Sequence, residues 1–529
     1  MSLPIMNDTA TLAFEFSSIG DIVPVSPLPY LIGIALVTLT TYTWATSNPS
    51  LKRLPIVNPP SLFSSFQAKL KFKNSAKTII KNARKHLPNQ SYRMTTDFGE
   101  VVMLQSERFQ EIRNNPHLSF LGTIAQERIC EIPGFEPLAN LGVEGELVLT
   151  VTSKQMTRSI GQVTEPLAEE IALGLSINLG ESTDWYEMQL APALRDITAR
   201  MSSRVFLGKE LSRSEEWLQV TTNYSVDAFK AGGKLSRYPR NVRPYIGWLV
   251  PECKEVRKYY KRARAVIDPV IEERAAVKQA AFAAGQPAPV YNDAIEWFEQ
   301  EAKQRGQPCD LANFQLMMSV VAIGTTADLL QTTLIDLMQH PETLQAVRDE
   351  IAQVLKTEGW KKTSLYSMKL LDSIIKESQR IKPFFSAMRR QVQADITLPD
   401  GTLVKKGSRI HIDTHRMVDP TVYENPEEWQ GNRFYDLRSQ PGKEHLAQLV
   451  TTSIDHIGFG HGKHACPGRF FAATELKIAL CHLLMKYDWK LAPGTPTSTV
   501  HQGFAQRVNP ATKVLCRRRA SMEIDIDSI

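Results

Sequence analysis

A mainly helical fold with a minor sheet component, behind one N-terminal transmembrane helix, follows from three observations. Long stretches between 160 and 390 carry apolar residues at spacings of three and four. Strand signals are sparse, and the best is a hairpin around Asp400-Gly401. No charged residue occurs between Asp21 and Lys52. The chain of 529 residues is 43% hydrophobic and 22% charged, which is globular composition. Its net charge of +6 is too thinly spread to suggest nucleic acid as a partner.

The elements are justified in chain order. Residues 1–28 form a short N-terminal segment whose only charges are Asp8, Glu15 and Asp21. Residues 29–47 are apolar enough for one membrane span, since about 20 residues suffice. Tyr30 and Trp44 lie near its ends, where amphipathic rings favour the interface. Lys52 and Arg53 follow it, so the positive-inside rule leaves 1–28 lumenal and the bulk of the chain cytosolic. A cleaved signal would start earlier and on basic residues. Residues 48–61, with Pro59-Pro60, read as a stiff linker to a catalytic domain spanning 62–529.

Within that domain Thr164–Gly180, Trp185–Leu207 and Arg257–Ala281 show helical periodicity, and 280–291 reads as a surface loop. Asn313–Met338 is a 26-residue stretch charged only at Asp328 and Asp336. Its recurrent Gln and Thr, and the His340-Pro341 stop, favour a buried central helix over a second span. Six cysteines with no C-x-x-C exclude a disulfide scaffold and a conventional zinc ribbon.

The segment 457–472 carries the chemistry. Gly458, Gly460 and Gly462 precede Cys466, and apolar periodicity runs on to Lys486. Pro467 suits a first helical turn, which places Cys466 at a helix N-terminus where the dipole favours thiolate. Three readings are open: a haem iron held by the Cys466 sulfur, a metal site from His456, His461, His464 and Cys466, and a phosphate-binding glycine loop. No strand leads into the loop, and the His/Cys spacing is not a usual zinc pattern.

The ten residues from Phe459 to Gly468 resemble the haem-binding loop of the cytochromes P-450, F-x-x-G-x-(R/H)-x-C-x-G. Four more segments appear in that family's order, over roughly 61–519. Glu377 and Arg380 resemble its E-x-x-R, and Arg433 between Asn432 and Phe434 its partner arginine. Asp419, Tyr423, Pro426 and Trp429 resemble the lead-in, and 322–326 resembles the oxygen-activation motif of the long helix.

The resemblance implies the cytochrome P-450 fold, a helical haem domain with a small β-rich region. It implies haem b on Cys466, framed by Phe459, Gly460 and Gly468. His464 and either Arg389 or Arg390 are implied at the propionates, and Glu377, Arg380 and Arg433 in a buried ion network. Thr325 is implied over the distal face, with Gly324 before it and Thr326, expected to bond back to its helix, after it. The family's acid at the Gly324 position is missing, and Lys154 and Arg158 stand in for an absent W-x-x-x-R.

The implied activity is a haem-thiolate monooxygenase supplied with electrons from NADPH by a separate reductase, with cytochrome b5 as a further donor. It would be a single-pass protein of the endoplasmic reticulum, in contact with membrane lipid. Lys463 and Arg469 are the basic residues expected to face the reductase. The style of the 322–326 motif, the loop and the tail Arg517–Arg519 resemble filamentous-fungal members of kaurene-oxidase-like, indole-diterpene and meroterpenoid type. That points to a hydrophobic secondary metabolite, a terpenoid, meroterpenoid or prenylated indole alkaloid, in a pocket set by loops near 115–145, 220–250 and 384–388. The alternatives are an isomerase or dehydratase working without reductase, and a non-enzymatic binding protein.

Overall fold

The computed structural model describes residues 30, 31, 33, 34, 37, 38, 50–61, 64–88, 90–143, 145–384 and 386–529. The chain divides into two units, Met1–Lys52 and Arg53–Ile529. The described residues of the first unit between 30 and 38 are helical, and most of the expected span 29–47 lies outside the described residues.

The second unit is built around the helix Leu311–Met338, 28 residues long. Asp310 caps it, accepting from the Asn313 N–H at 3.1 Å. At 1.5 Å per residue it runs about 42 Å. Most of its circumference is buried, with Phe314, Met317, Leu334 and Leu337 at or near zero exposure. Each such side chain contributes about 1.5–3 kcal/mol. By length and composition this helix could cross a bilayer, but 67% of its most apolar window is buried by other elements. The next helix, Pro341–Glu358, starts with proline in its first turn, so the break at His340-Pro341 is a sharp one.

Helices Thr157–Leu179, Leu190–Leu207, Glu215–Leu235, Pro251–Ala283, Lys369–Ile381 and Arg469–Lys486 surround the central helix or each other. Arg257–Ala281 falls inside one of these, and Thr164–Gly180 inside another save for Gly180, which caps it. Trp185–Leu207 is split instead: Tyr186–Met188 is a strand, and the helix begins at Leu190. The strand forms because Tyr186 and Met188 pair with Cys516 and Val514, a long-range ladder that overrides local periodicity.

Thirteen short strands are present among the described residues, more than the sparse signals suggested. In chain order they are β1 (Ile56–Val57), β2 (Tyr92–Thr96), β3 (Gly99–Leu104), β4 (Leu118–Ser119), β5 (Tyr186–Met188), β6 (Ala387–Val392), β7 (Ile396–Thr397), β8 (Leu403–Val404), β9 (Arg409–Asp413), β10 (Tyr487–Leu491), β11 (Thr499–Gln502), β12 (Ala505–Val508) and β13 (Val514–Arg518). The largest sheet has the order β1-β2-β3-β9-β6-β4. Its first strand lies inside the segment expected to be a linker: Ile56 and Val57 pair with Arg93 and Met94. The Asp400-Gly401 hairpin forms as expected, with Ile396 opposite Val404 and Gly401 at φ +78°. Strand β6 alternates its side chains, so Arg389 and Arg390 point to opposite faces.

Candidate functional site

The loop before Arg469–Lys486 is shaped by two left-handed glycines, Gly460 (φ +71°) and Gly462 (φ +70°). A Cβ on Gly460 would stand 3.1 Å from the His464 carbonyl, so the turn tolerates only glycine. The Cys466 N–H donates to the Phe459 carbonyl at 2.7 Å, and Phe459 packs on the main core. That bond closes the loop and fixes the sulfur.

The helix starts later than expected. Arg469 is its first residue and Gly468 its N-cap, so Cys466 lies in the turn before it. Burial pushes the Cys466 thiol up; the Gly468 N–H and the Arg469 guanidinium pull it down. Helix-terminus position therefore does not by itself make a thiolate here. A cation bound at sulfur would deprotonate it outright.

Three cationic or basic groups border this loop. His464 bonds to the Leu118 carbonyl at 2.8 Å and feels the Arg390 charge. Arg390 is 3% exposed, and its Nη2 has no hydrogen-bond partner. Arg389, on the other face of β6, lies over the Phe98 ring at 5.0 Å. The choice between the two arginines thus falls on Arg390. Arg113, which sequence reasoning missed, packs against Gly462 and meets His461 Nε2 at 2.9 Å. Lys154 and Arg158 are exposed, Lys154 in a turn of π-helix at Val151–Met156.

The histidines do not assemble as metal ligands. His456 Nε2 is engaged with the Lys376 carbonyl, and His461 with Arg113 and Thr452. The one metal-capable group among the described residues is Glu107, His415 and Asp419, elsewhere in the fold. Lys376 itself is buried, and its Nζ donates to the Leu446, Gln448 and Thr451 carbonyls, tying down the run into the loop.

The ion network is complete. Arg380 grips Glu377 bidentately, both bonds at 2.8 Å, and neither side chain has any exposure. Arg380 Nη1 also donates to the Met417 and Pro426 carbonyls. Arg433 Nε reaches Glu377 Oε1 at 3.0 Å and spends its other nitrogens on the carbonyls of Glu424, Asn425 and Glu428. This is no surface pair: two guanidinium forks share one carboxylate, and every fork is satisfied.

The central helix has one open face. Val321 is 42% exposed and Thr325 is exposed, although their neighbours Val320, Ile323, Thr326 and Ala327 are buried. A Cβ on Gly324 would carry a side chain into open space. Thr325 Oγ1 donates to the Val321 carbonyl at 2.9 Å, the back-bond expected of Thr326. Asp328 follows one turn on, and burial pushes its carboxyl up to about 6.

Arg469 is not a free surface charge: it donates to the Val450 and Cys466 carbonyls. Lys463 is exposed.

These residues fit a flat macrocycle with an acidic rim, ligated through sulfur. Cys466 supplies one sulfur, Arg390 an unspent buried donor beside His464, and the central helix an open face.

Comparison with known proteins agrees. Residues 149–515 match the model of the family described as cytochrome P450. The chain is 45% identical over 478 residues to cytochrome P450 monooxygenase hepE of Aspergillus oryzae, covering 90% of this chain and 87% of that one. It is 43% identical over 509 residues to a cytochrome P450 monooxygenase of Gibberella fujikuroi, covering 95% and 97%. It is 42% identical over 488 residues to cytochrome P450 monooxygenase eqxH of Fusarium heterosporum, covering 90% and 93%. Among solved structures, the retinoic acid-bound cyanobacterial CYP120A1 superposes with a TM-score of 0.65 at 17% identity, over 88% of this chain and 100% of that one, which speaks to fold alone. The chain belongs to the cytochrome P450 family, the haem-thiolate monooxygenases whose electrons come from NADPH through a reductase.

Proposed function

We propose that this monooxygenase oxidises a hydrophobic secondary metabolite, a terpenoid, meroterpenoid or prenylated indole alkaloid, at the open face of its central helix. The observation that carries the reading is the pairing of that face with a closed cysteine loop. Thr325 and Val321 are open on a helix otherwise sealed in the core, and Cys466 is held by the Phe459 carbonyl.

The haem, when bound, supplies the dioxygen chemistry. The chain's own residues do the rest. Cys466 Sγ would hold the haem iron, and the Gly468 N–H is directed at that sulfur. His464 and Arg390 would hold the propionates, and Arg390 would then spend the donor it otherwise leaves unpaired. Gly460 and Gly468 keep the loop close to the macrocycle, and Phe459 backs it from the core. Thr325 would turn its hydroxyl from the Val321 carbonyl to hydrogen-bond at the distal face, and Gly324 leaves room beside it. Glu377, Arg380 and Arg433 are structural: they lock the segments before the loop.

The anchor at 29–47 holds the enzyme in the endoplasmic reticulum membrane with 62–529 in the cytosol as its catalytic domain, where cytochrome b5 is a second electron donor. Lys463 is an exposed cation on the loop for such a partner, whereas Arg469 is committed to backbone.

The test is a carbon-monoxide difference spectrum of the reduced protein beside Cys466→Ser. A red-shifted Soret band in the wild type alone is the expected result. Equal bands in both proteins would overturn Cys466 as ligand.

A further inference from the structure

Arg507 is an exposed arginine whose guanidinium bonds to no other described residue. It lies on β12, and the β11–β12 hairpin is pinned by backbone bonds: Gln506 N–H to the Phe384 carbonyl at 3.0 Å, and Ser386 N–H to the Phe504 carbonyl at 2.9 Å. The hairpin is therefore held against the segment that leads from the Lys369–Ile381 helix into β6. Its position is fixed, yet the guanidinium makes no hydrogen bond among the described residues.

Its neighbours are aromatic. The guanidinium carbon stands 5.2 Å from the Phe384 ring centroid and 5.8 Å from that of Phe229, on the helix Glu215–Leu235. Rings at those distances favour a cation over their faces. Phe229 is 49% exposed, so its ring is largely uncovered.

The charges nearby are unequal. Asp328, on the open face of the central helix, feels Arg507 as an attracting cation. Arg195, on the helix Leu190–Leu207, feels it as a repelling one. Arg507 therefore stands near one carboxyl, which accepts from the Val508 N–H instead, and one other guanidinium. Five N–H donors in a planar fork fit a carboxylate through two parallel bonds, better than any neutral group.

We propose that Arg507 is a specificity-determining residue of the substrate pocket, and that the substrate carries a carboxylate on an apolar skeleton that lies along Phe229 and Phe384. This rests on the pocket reading above, with the open face of the central helix as its floor. The carboxylate completes the fork that Asp328 leaves empty and balances the local excess of positive charge. Held at one end, the skeleton has a fixed reach toward Thr325, so the carbon oxidised is set by its distance from the acid group.

The test uses the full-length holoenzyme in detergent or microsomes and reads the substrate-induced Soret shift. The probes are abietic acid and palmitic acid, each beside its methyl ester. The wild type is expected to bind at least one acid about tenfold tighter than its ester. Arg507→Gln removes that preference and leaves ester affinity within about twofold; Arg507→Lys keeps part of it. If Arg507→Gln yields no haem protein, Asp328→Asn serves: losing the competing carboxyl should tighten the acid and not the ester. An absent acid preference in every wild-type pair, including no acid binding at all, overturns the proposal. Equal weakening of acid and ester in Arg507→Gln overturns it too, since Arg507 would then act by packing alone. A wild type without the red-shifted band would instead sink the haem-thiolate reading, so the two failures are distinct.

Discussion

Two arginine-bearing regions of this enzyme are built on opposite plans. In the network of Glu377, Arg380 and Arg433, each guanidinium is bonded to the shared carboxylate and to backbone carbonyls, with Glu377 and Arg380 fully buried and Arg433 at 10% exposure. On β12, Arg507 is exposed, lies against two rings and bonds to no other described residue, not even the nearby Asp328. The difference teaches where a charge serves the fold and where it waits for a ligand. A buried fork with every bond made is inert scaffold. A fork held in place and left open keeps its binding energy for something that arrives.

The largest effect should come from opening the closed region. Glu377→Gln leaves two buried guanidiniums with no carboxylate, a loss of about 3–5 kcal/mol. We expect little or no haem-loaded protein, read from the carbon-monoxide spectrum and from urea unfolding. A variant of wild-type stability would mean the network is not the lock inferred from its geometry.

The open face should answer in the reverse way. Thr325→Val removes a hydroxyl whose recorded bonds are to its own helix, to the Val321 and Ala322 carbonyls. Stability should move by no more than about 0.5 kcal/mol. Product formed per NADPH consumed should fall severalfold. Unchanged coupling with the same fold would remove Thr325 from the chemistry and blur the contrast.

Glu475 is an intermediate case and sharpens the comparison. It is 1% exposed on the helix Arg469–Lys486, accepts one bond from Ser202 at 2.7 Å, and leaves Oε2 unpartnered. With too few donors inside the core, the group keeps its proton: burial pushes its carboxyl from 4.5 up to about 8. The folded state thus binds a proton that the unfolded chain releases near 4.5. Stability should fall as pH rises from about 4.5 to about 8, and level off above. Glu475→Gln lacks that slope and should exceed wild type at pH 8 by more than about 1 kcal/mol, in urea unfolding at pH 5 and 8. Parallel curves would show that Glu475 finds a partner when ionised.

How much of this was legible follows from the same contrast. The closed parts are contiguous: Glu377 and Arg380 are one helical turn apart, and Cys466 sits in a ten-residue loop, so both stand out as motifs. The central helix was legible because a largely apolar stretch of 26 residues admits few other structures. The strands were not, because pieces of two to six residues show no usable period; Tyr186–Met188 even sits inside a helical pattern and is recruited by Val514 and Cys516 across the chain. The open region was equally hidden. Arg195, Phe229, Asp328, Phe384 and Arg507 come from five separated segments, and only tertiary structure brings their charges and rings together. Arg389 against Arg390 was undecidable for a simpler reason: strand alternation assigns neighbours to opposite faces, and the register of β6 was needed to say which.

The smallest effect concerns the rim of the macrocycle. Lys154 and Arg158 were the sequence candidates for the missing W-x-x-x-R, but both are exposed, and Lys154 lies in the π-helical turn. Arg113 and Arg390 are the cations that border the loop. Substituting an exposed residue away from caps and networks shifts stability by no more than about 0.5 kcal/mol. Lys154→Ala and Arg158→Ala should therefore keep wild-type haem content per protein, whereas Arg390→Leu should lower it, because a propionate would then face an apolar side chain. Haem loss in Lys154→Ala would show that the turn at 151–156 swings inward when the macrocycle binds, and in Arg158→Ala that the first turn of the following helix does, so that part of the rim assembles only around its cofactor.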